Sequence, residues 1–386
     1  MRLLIVDDSI VFRHLVEAAL AREPDIEVVG TARNGRKAIE ALPVCRPELL
    51  TLDMEMPEMD GLATLAEIEK VNAARPRTER IGVILLSSHT RAGAALTLRA
   101  LDLGAFDFIT KPEGTSEADS IARLRNLLLP RIRAYAAART GVGALRKVTD
   151  RPVGVSAAPA LQTRASPPRG VTSVSQVTPG VEVRASLVDA RDRVAAEVIC
   201  IGVSTGGPRA LAEMLPSLCE VTALPILIVQ HMPANFTVSL AEGIQNRCGR
   251  RTKEGEDGEV VEPSRIYIAP GGRHMTLTRS ASGQLTLRVN DHPPENGCRP
   301  SVDVLFRSVA MACRGNVVAV IMTGMGNDGE QSLRGLKRAG ARVIVQDEET
   351  SVVWGMPGSA VASGFVDEVV PLMQIPHAIR RAVGAR

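Results

Sequence analysis

The sequence predicts two α/β units, the first a doubly wound parallel sheet and the second a mainly parallel sheet that carries an antiparallel hairpin. Short apolar runs alternate with helical periods twice along the chain, which is the pattern of parallel strands joined by helices. Between these two regions the periodicity dissolves into Pro, Ser, Thr, Val, Ala and Arg. At 386 residues the chain is also well above the length of one ordinary domain. The boundaries read as a first domain over 1–138, a linker over 139–194 and a second domain over 195–386.

In the first domain, strands are predicted over 3–6, 26–30, 49–52, 81–86 and a short run ending at Ile109. Helices follow over 10–21, 35–42, 63–70, 93–103 and 118–138. The linker centres on Ser166-Pro167-Pro168-Arg169 and carries a surplus of Arg and Lys, as expected of a solvated, extended segment. In the second domain, strands are predicted over 198–203, 225–229, 265–269, 284–289, 317–322 and 342–345. Helices are expected over 208–215, 235–247, 301–313, 329–339 and 356–362, with the antiparallel pair near 271–288.

Composition narrows the functional classes. Aromatic residues are only 2% of the chain, which argues against base stacking, and a net charge of +3 leaves no nucleic-acid footprint. The six cysteines form no CxxC pair, so neither a disulfide framework nor a structural zinc site is indicated. No apolar run reaches the roughly 18 residues of a membrane helix, and the start at Met1 reads directly into a strand. A cytoplasmic monomer without membrane insertion or nucleic-acid binding is expected.

Strand ends of a parallel sheet gather on one edge, where ligands bind. The first strand delivers Asp7 and Asp8, the third Asp53, the fourth Ser87 and the fifth Lys111. Clustered carboxylates need a cation between them, and oxygen-only donors select a hard ion, with Mg²⁺ the expectation. A carboxylate beside that ion and an ammonium can attack a phosphoryl group, since both cations offset charge on the transferred oxygens. Asp53 is the expected nucleophile, and Ser87 the group that hydrogen-bonds the new phosphate.

Leu4-Ile5-Val6-Asp7-Asp8-Ser9, Leu52-Asp53-Met54-Glu55-Met56-Pro57, Leu85-Leu86-Ser87-Ser88 and Thr110-Lys111-Pro112 resemble the flavodoxin-like receiver domain of response regulators. The resemblance implies phosphorylation of Asp53 by a histidine kinase, with Mg²⁺ at Asp7, Asp8 and Asp53.

In the second domain a strand runs into Gly202-Val203-Ser204-Thr205-Gly206-Gly207-Pro208. A serine flanked by glycines at a strand-to-helix turn has the pattern of a nucleophile elbow, with the helix N-terminus aimed at a developing oxyanion. The P-loop lysine is absent, which weighs against a phosphate loop. A base is needed. His231 follows the next strand at the same sheet edge, and His274 and His292 are its rivals. Asp328, in the Gly-rich loop after the strand over 317–322, is the candidate to orient that base, or else a helix N-cap.

Ile201-Gly202-Val203-Ser204-Thr205-Gly206-Gly207, Gln230-His231-Met232-Pro233, Arg299-Pro300-Ser301-Val302-Asp303-Val304-Leu305-Phe306 and Met322-Thr323-Gly324-Met325-Gly326-Asn327-Asp328-Gly329 resemble the chemotaxis protein-glutamate methylesterases of the CheB family. Val203 and Asn327 stand where Ala is usual in that family. The resemblance implies Ser204 as nucleophile, His231 as base, Asp328 as its orienter and backbone oxyanion donors near Thr205 and Met325. It also implies a phosphorylation-controlled serine hydrolase without a cofactor in its hydrolase domain. The expected reaction is demethylation of glutamate methyl esters, and deamidation of glutamines, in methyl-accepting chemoreceptors, giving chemotaxis adaptation. A DNA-binding output is disfavoured by the lack of a helix-turn-helix pattern. A catalytically silent adaptor is disfavoured by the complete set of three reacting groups.

Overall fold

A computed structural model describes residues 1–112, 116–140 and 195–383. Apart from residues 139 and 140, which extend the last helix of the first domain, the predicted linker lies outside the described residues.

The first domain runs β1 (Arg2–Val6), α1 (Ile10–Leu20), β2 (Glu27–Ala32), α2 (Gly35–Cys45), β3 (Leu49–Asp53), α3 (Gly61–Ala73), β4 (Gly82–Ser87), α4 (Arg91–Leu103), β5 (Asp107–Thr110) and α5 (Glu117–Thr140). Each strand is a short apolar run and each helix starts at a polar cap. Ser9, Asn34, Asp60 and Thr90 accept from backbone N–H groups three residues on, satisfying donors that the first turn leaves open. The five strands pair in parallel in the order β2-β1-β3-β4-β5. The order reverses between β1 and β3, so the residues at their carboxyl ends, Asp7 and Asp53, face a shared crevice.

The second domain continues with β6 (Val198–Val203), α6 (Gly207–Val221), β7 (Ile226–Gln230), α7 (Phe236–Cys248), β8 (Thr252–Glu254), β9 (Ile266–Ile268), β10 (His274–Arg279), β11 (Leu285–Asn290), α8 (Val302–Ala312), β12 (Val317–Ile321), α9 (Glu330–Ala339), β13 (Arg342–Gln346), α10 (Met356–Ala362), β14 (Glu368–Val370) and α11 (Ile375–Val383). Seven strands form one sheet in the order β14-β13-β12-β6-β7-β9-β8, with every pairing parallel. The predicted antiparallel pair exists as β10 and β11, but as a sheet of its own. Its apolar face, Met275, Leu277, Leu287 and Val289, shares a core with Leu305, Phe306 and Val309 of α8.

Strands β6 and β12 are buried at every residue, as their continuous Val- and Ile-rich runs without a polar residue require of a sheet covered on both faces. The switch point of this sheet lies between β6 and β12. The two domains also share apolar packing. Phe108 of β5 stacks on Phe236 of α7 with ring centroids 4.6 Å apart and planes 19° apart. Such a pair adds about 0.5–1.5 kcal/mol beyond its buried area.

Candidate active site and receiver pocket

In the first domain Lys111 lies 2.8 Å from Asp7 Oδ2 and 2.8 Å from Asp53 Oδ2, with its ammonium 4.7 Å above the Phe12 ring. Asp7, Asp8 and Asp53 each present a carboxylate oxygen within 4.8 Å of the others. Asp7 and Asp53 are buried and Asp8 is exposed. Burial pushes the Asp53 carboxyl up to about 6 although Lys111 works to lower it, and Asp7 is raised for the same reason. One ammonium facing three carboxyl groups leaves the cluster short of positive charge. All of its donors are oxygens, so the residues fit a hard divalent cation such as Mg²⁺.

Ser87 ends β4, at the strand terminus the sequence predicts. Its buried hydroxyl accepts from Thr97 Oγ1 at 2.7 Å and lies 3.4 Å from the carbonyl oxygen of Gly93, so it faces α4.

In the second domain Ser204, His231 and Asp328 arise from three neighbouring strands. Val203 pairs with Gln230 and Gly202 with Ile321, so β6 carries the serine between the strand that leads to the histidine and the one that leads to the aspartate. His231 Nε2 is 2.8 Å from Asp328 Oδ2. Ser204 follows Val203 directly and faces the start of the His231 loop in this register. Among the described residues the Ser204 hydroxyl makes no hydrogen bond and remains free to turn.

The serine turn is fixed from beneath. Ser204 N donates to Thr323 O at 3.0 Å, and Gln230 Nε2 donates to Ser204 O at 2.9 Å. Gly206 adopts φ 77°, and a Cβ there would meet Val352 at 2.6 Å, so glycine is required by both conformation and space. α6 begins without a side-chain cap, leaving its N-terminal N–H groups facing the turn. The Thr205 and Met325 amides donate no hydrogen bond among the described residues, as a pair of oxyanion donors requires. Thr323 joins the two loops: its hydroxyl donates to Thr205 O at 3.0 Å and accepts from Val353 N at 3.0 Å.

Asp328 caps a helix, but a different one from that considered in the sequence. The N-cap of α9 is Gly329, with no side-chain bond. Asp328 instead accepts from Val302 N at 2.6 Å, Asp303 N at 3.2 Å and Ser301 Oγ at 2.8 Å at the start of α8, and from Asn296 Nδ2 at 3.1 Å. Burial opposes its charge. The His231 bond and these donors outweigh that and hold its carboxyl well below the usual range. Burial likewise opposes the His231 imidazolium, yet Asp328 and Cys298 raise its pKa to about 9.

The two rival histidines are accounted for. His274 is buried in a structural role, with Nε2 3.1 Å from Pro293 O and Nδ1 accepting from Ser301 N. His292 is exposed on the hairpin side.

Sequence reasoning missed the segment 295–298. Asn296 (φ 53°) and Gly297 (φ 74°) form a tight turn closed by Cys298 N donating to Glu295 O at 2.8 Å. The turn places Cys298 Sγ 3.7 Å from His231 Nδ1. The Asn-Gly dipeptide was the available signal, since it favours turns with both central residues at positive φ.

The first domain also touches the elbow. Thr205 Oγ1 donates to Asp107 Oδ2 of β5 at 2.8 Å, both residues being buried. Met325 and Val352 pack against the apolar cluster of Phe106, Ile109, Leu128 and Tyr135. Arg91 of α4 pairs with Glu242 of α7 at 2.5 Å, Arg247 pairs with Asp102, and Asn235 Nδ2 donates to His89 O at 3.0 Å.

Comparison with known proteins identifies both domains. Residues 199–379 match the family model of the CheB methylesterase, and residues 3–123 that of the response regulator receiver domain. A protein from Desulfotalea psychrophila named protein-glutamate methylesterase/protein-glutamine glutaminase is 40% identical over 99% of this chain and 98% of its own. One of the same name from Nocardioides sp. is 39% identical over 100% of this chain and 96% of its own. The crystal structure of the Thermotoga maritima CheB methylesterase catalytic domain is 39% identical, covers 48% of this chain and 97% of its own, and has a TM-score of 0.46. Full-length similarity to the curated relatives, together with the two matched domains in this order, places the chain in the receiver-linked CheB methylesterase family.

Proposed function

We propose that the chain is a phosphorylation-controlled protein-glutamate methylesterase and protein-glutamine glutaminase acting on methyl-accepting chemoreceptors, with Ser204, His231 and Asp328 as its reacting set. The observation that carries this reading is the 2.8 Å bond between His231 Nε2 and Asp328 Oδ2, formed at the sheet edge to which β6 delivers Ser204. Asp328 orients the ring and stabilises the imidazolium. With Nε2 bonded to Asp328, Nδ1 is the nitrogen left to take the serine proton.

Ser204 Oγ attacks the γ-ester carbonyl as its proton passes to His231 Nδ1. The oxyanion is met by the Thr205 and Met325 amides and the positive end of α6. Collapse expels methoxide, which leaves as methanol with the proton returned by His231. Water, deprotonated by the same nitrogen, then hydrolyses the glutamyl-serine and leaves a free carboxylate. With a glutamine side chain the leaving group is ammonia and the other steps are the same.

Asp53 is the phosphoryl acceptor, fed by a chemotaxis histidine kinase. Asp7, Asp8 and Asp53 would hold Mg²⁺, which offsets charge on the transferred phosphoryl oxygens. Lys111 offsets the remainder. Control follows from the contacts of the receiver with the elbow. Asp107, Phe106 and Phe108 lie against Thr205, Met325 and Phe236, leaving no room there for a receptor helix. A phosphate on Asp53 draws Ser87 toward it and away from Thr97. This shifts α4, whose Arg91 and Asp102 hold α7, and favours an undocked state.

A fluorophosphonate probe tests the nucleophile. The account expects one covalent adduct on Ser204, absent from Ser204→Ala. An adduct that persists in that variant contradicts the assignment.

A further inference from the structure

The second nitrogen of the His231 ring faces a thiol. Cys298 Sγ lies 3.7 Å from His231 Nδ1 and 3.7 Å from Asn296 O. A zinc ion bound tetrahedrally by one imidazole nitrogen and one thiolate, with bonds of about 2.0–2.1 and 2.3 Å, separates those two atoms by about 3.6 Å. The observed spacing, that of a thiol–imidazole hydrogen bond, is also one that a tetrahedral zinc ion bridges with little movement of either atom.

We propose that His231 Nδ1 and Cys298 Sγ form an inhibitory site for a soft divalent cation of the zinc class, with Asp328 as the carboxylate behind the metal-bound imidazole. Ligating histidines commonly donate their other ring N–H to a carboxylate, which fixes the ring and raises its basicity. The His231–Asp328 bond is that arrangement. The candidate donor atoms of His231, Cys298 and Asp328 all lie within 4.8 Å of one another.

The site is held in place before any ion arrives. Glu295 and Cys298 exchange backbone hydrogen bonds across the Asn296-Gly297 turn. Asn296 Nδ2 donates to Asp303 Oδ2 at 2.9 Å and to Asp328 Oδ1 at 3.1 Å. Arg307 grips Glu295 with two bonds of 2.6 and 2.5 Å. Cys298 is half-buried beside exposed Gly297 and Arg299, so an ion has access from solvent and water can fill its remaining positions.

Donor chemistry separates this site from the receiver cluster. Thiolate and imidazole select zinc and its soft relatives, whereas Asp7, Asp8 and Asp53 offer only hard oxygens. Zinc at Nδ1 occupies the lone pair that accepts the serine proton, so hydrolysis stops. Binding releases the thiol proton, and also the Nδ1 proton when the ring is doubly protonated, so affinity rises with pH. The inhibition rests on the hydrolase reading given above, whereas the metal site itself does not.

The test uses the full chain in excess Mg²⁺, which occupies the receiver carboxylates. Titration calorimetry with Zn²⁺ is expected to show a site in the wild type that weakens at least tenfold in Cys298→Ala and in Cys298→Ser. The second variant guards against a packing defect in the first. Substitution with Co²⁺ is expected to give a thiolate charge-transfer absorption that both variants lose. Ester hydrolysis by the wild type is expected to fall with zinc and recover with a chelator. Each cysteine variant, measured against its own zinc-free rate, should need at least tenfold more zinc. Equal zinc affinity and equal inhibition in wild type and variants overturn the proposal. Zinc binding that depends on Cys298 in a protein with no zinc-free hydrolysis keeps the metal site and removes the hydrolase reading instead.

Discussion

The Thr205 hydroxyl donates to the Asp107 carboxylate across 2.8 Å, so the residue after the elbow serine is tied to the last strand of the receiver. Asp107 also lies 3.2 Å from Arg131 Nε and accepts from Phe108 N. The contact is buried, joins the two domains and reaches the residue whose amide is the proposed oxyanion donor.

Asp107→Ala is expected to loosen docking. A hydrogen bond to a charged group contributes about 1.5–3 kcal/mol, enough to shift the docked equilibrium by roughly tenfold or more. Methanol release by the unphosphorylated variant should rise severalfold above wild type. An unchanged basal rate removes Asp107 from the regulatory contact.

Asp53→Asn is expected to lose stimulation by a small phosphodonor in Mg²⁺, with no phosphorylated species on a phosphate-affinity gel. The Asp53 carboxyl lies near 6, raised by burial, so protons compete with the metal in that range. Calorimetric Mg²⁺ affinity of the wild type should therefore fall as pH is lowered through about 6. Affinity independent of pH between 5 and 7 contradicts the metal assignment.

The pH profile of hydrolysis reports on His231. Its pKa of about 9 reflects burial, which lowers it, outweighed by Asp328 and Cys298, which raise it. The rising limb of kcat/KM for the docked enzyme should have its midpoint near 9. In Cys298→Ala the thiol contribution is gone, and the limb should move to lower pH. Movement to higher pH contradicts this account of the ring.

Asp328→Asn is expected to lower kcat by about 10⁴-fold, because the amide cannot stabilise the imidazolium or enforce its tautomer. It also weakens the capping of α8, at a cost of about 1–3 kcal/mol. The ordinary histidine value is 6.5 and the folded value is raised to about 9. The stabilisation from this pair is therefore complete below 6.5 and is lost as pH rises through 9. Thermal unfolding should show that loss in the wild type and only weakly in Asp328→Asn.

The receiver was legible because each strand is a separate apolar run and its polar terminus falls on one edge. The same logic predicts Ser204, His231 and Asp328 at the ends of neighbouring strands, which is where the structure has them. Two three-residue edge strands, β8 and β14, were missed, being too short to show a period. α6 was predicted to end before Pro216, yet it continues to Val221 because Leu218 is buried in the core and holds the last turn. The hairpin was found but not its independence from the main sheet. The contact of Cys298 with His231 joins residues 67 positions apart, and no local pattern carries such information. The contact of Thr205 with Asp107 spans 98 positions and crosses between domains, so it was equally hidden.

Methanol release from membranes bearing methylated chemoreceptors, compared between wild type and Ser204→Ala with and without phosphodonor, tests the central claim most directly. The account predicts hydrolysis by the wild type that rises on phosphorylation, and a rate at the enzyme-free background for a folded Ser204→Ala. Release by Ser204→Ala at the wild-type rate would show that the reaction does not run through this serine.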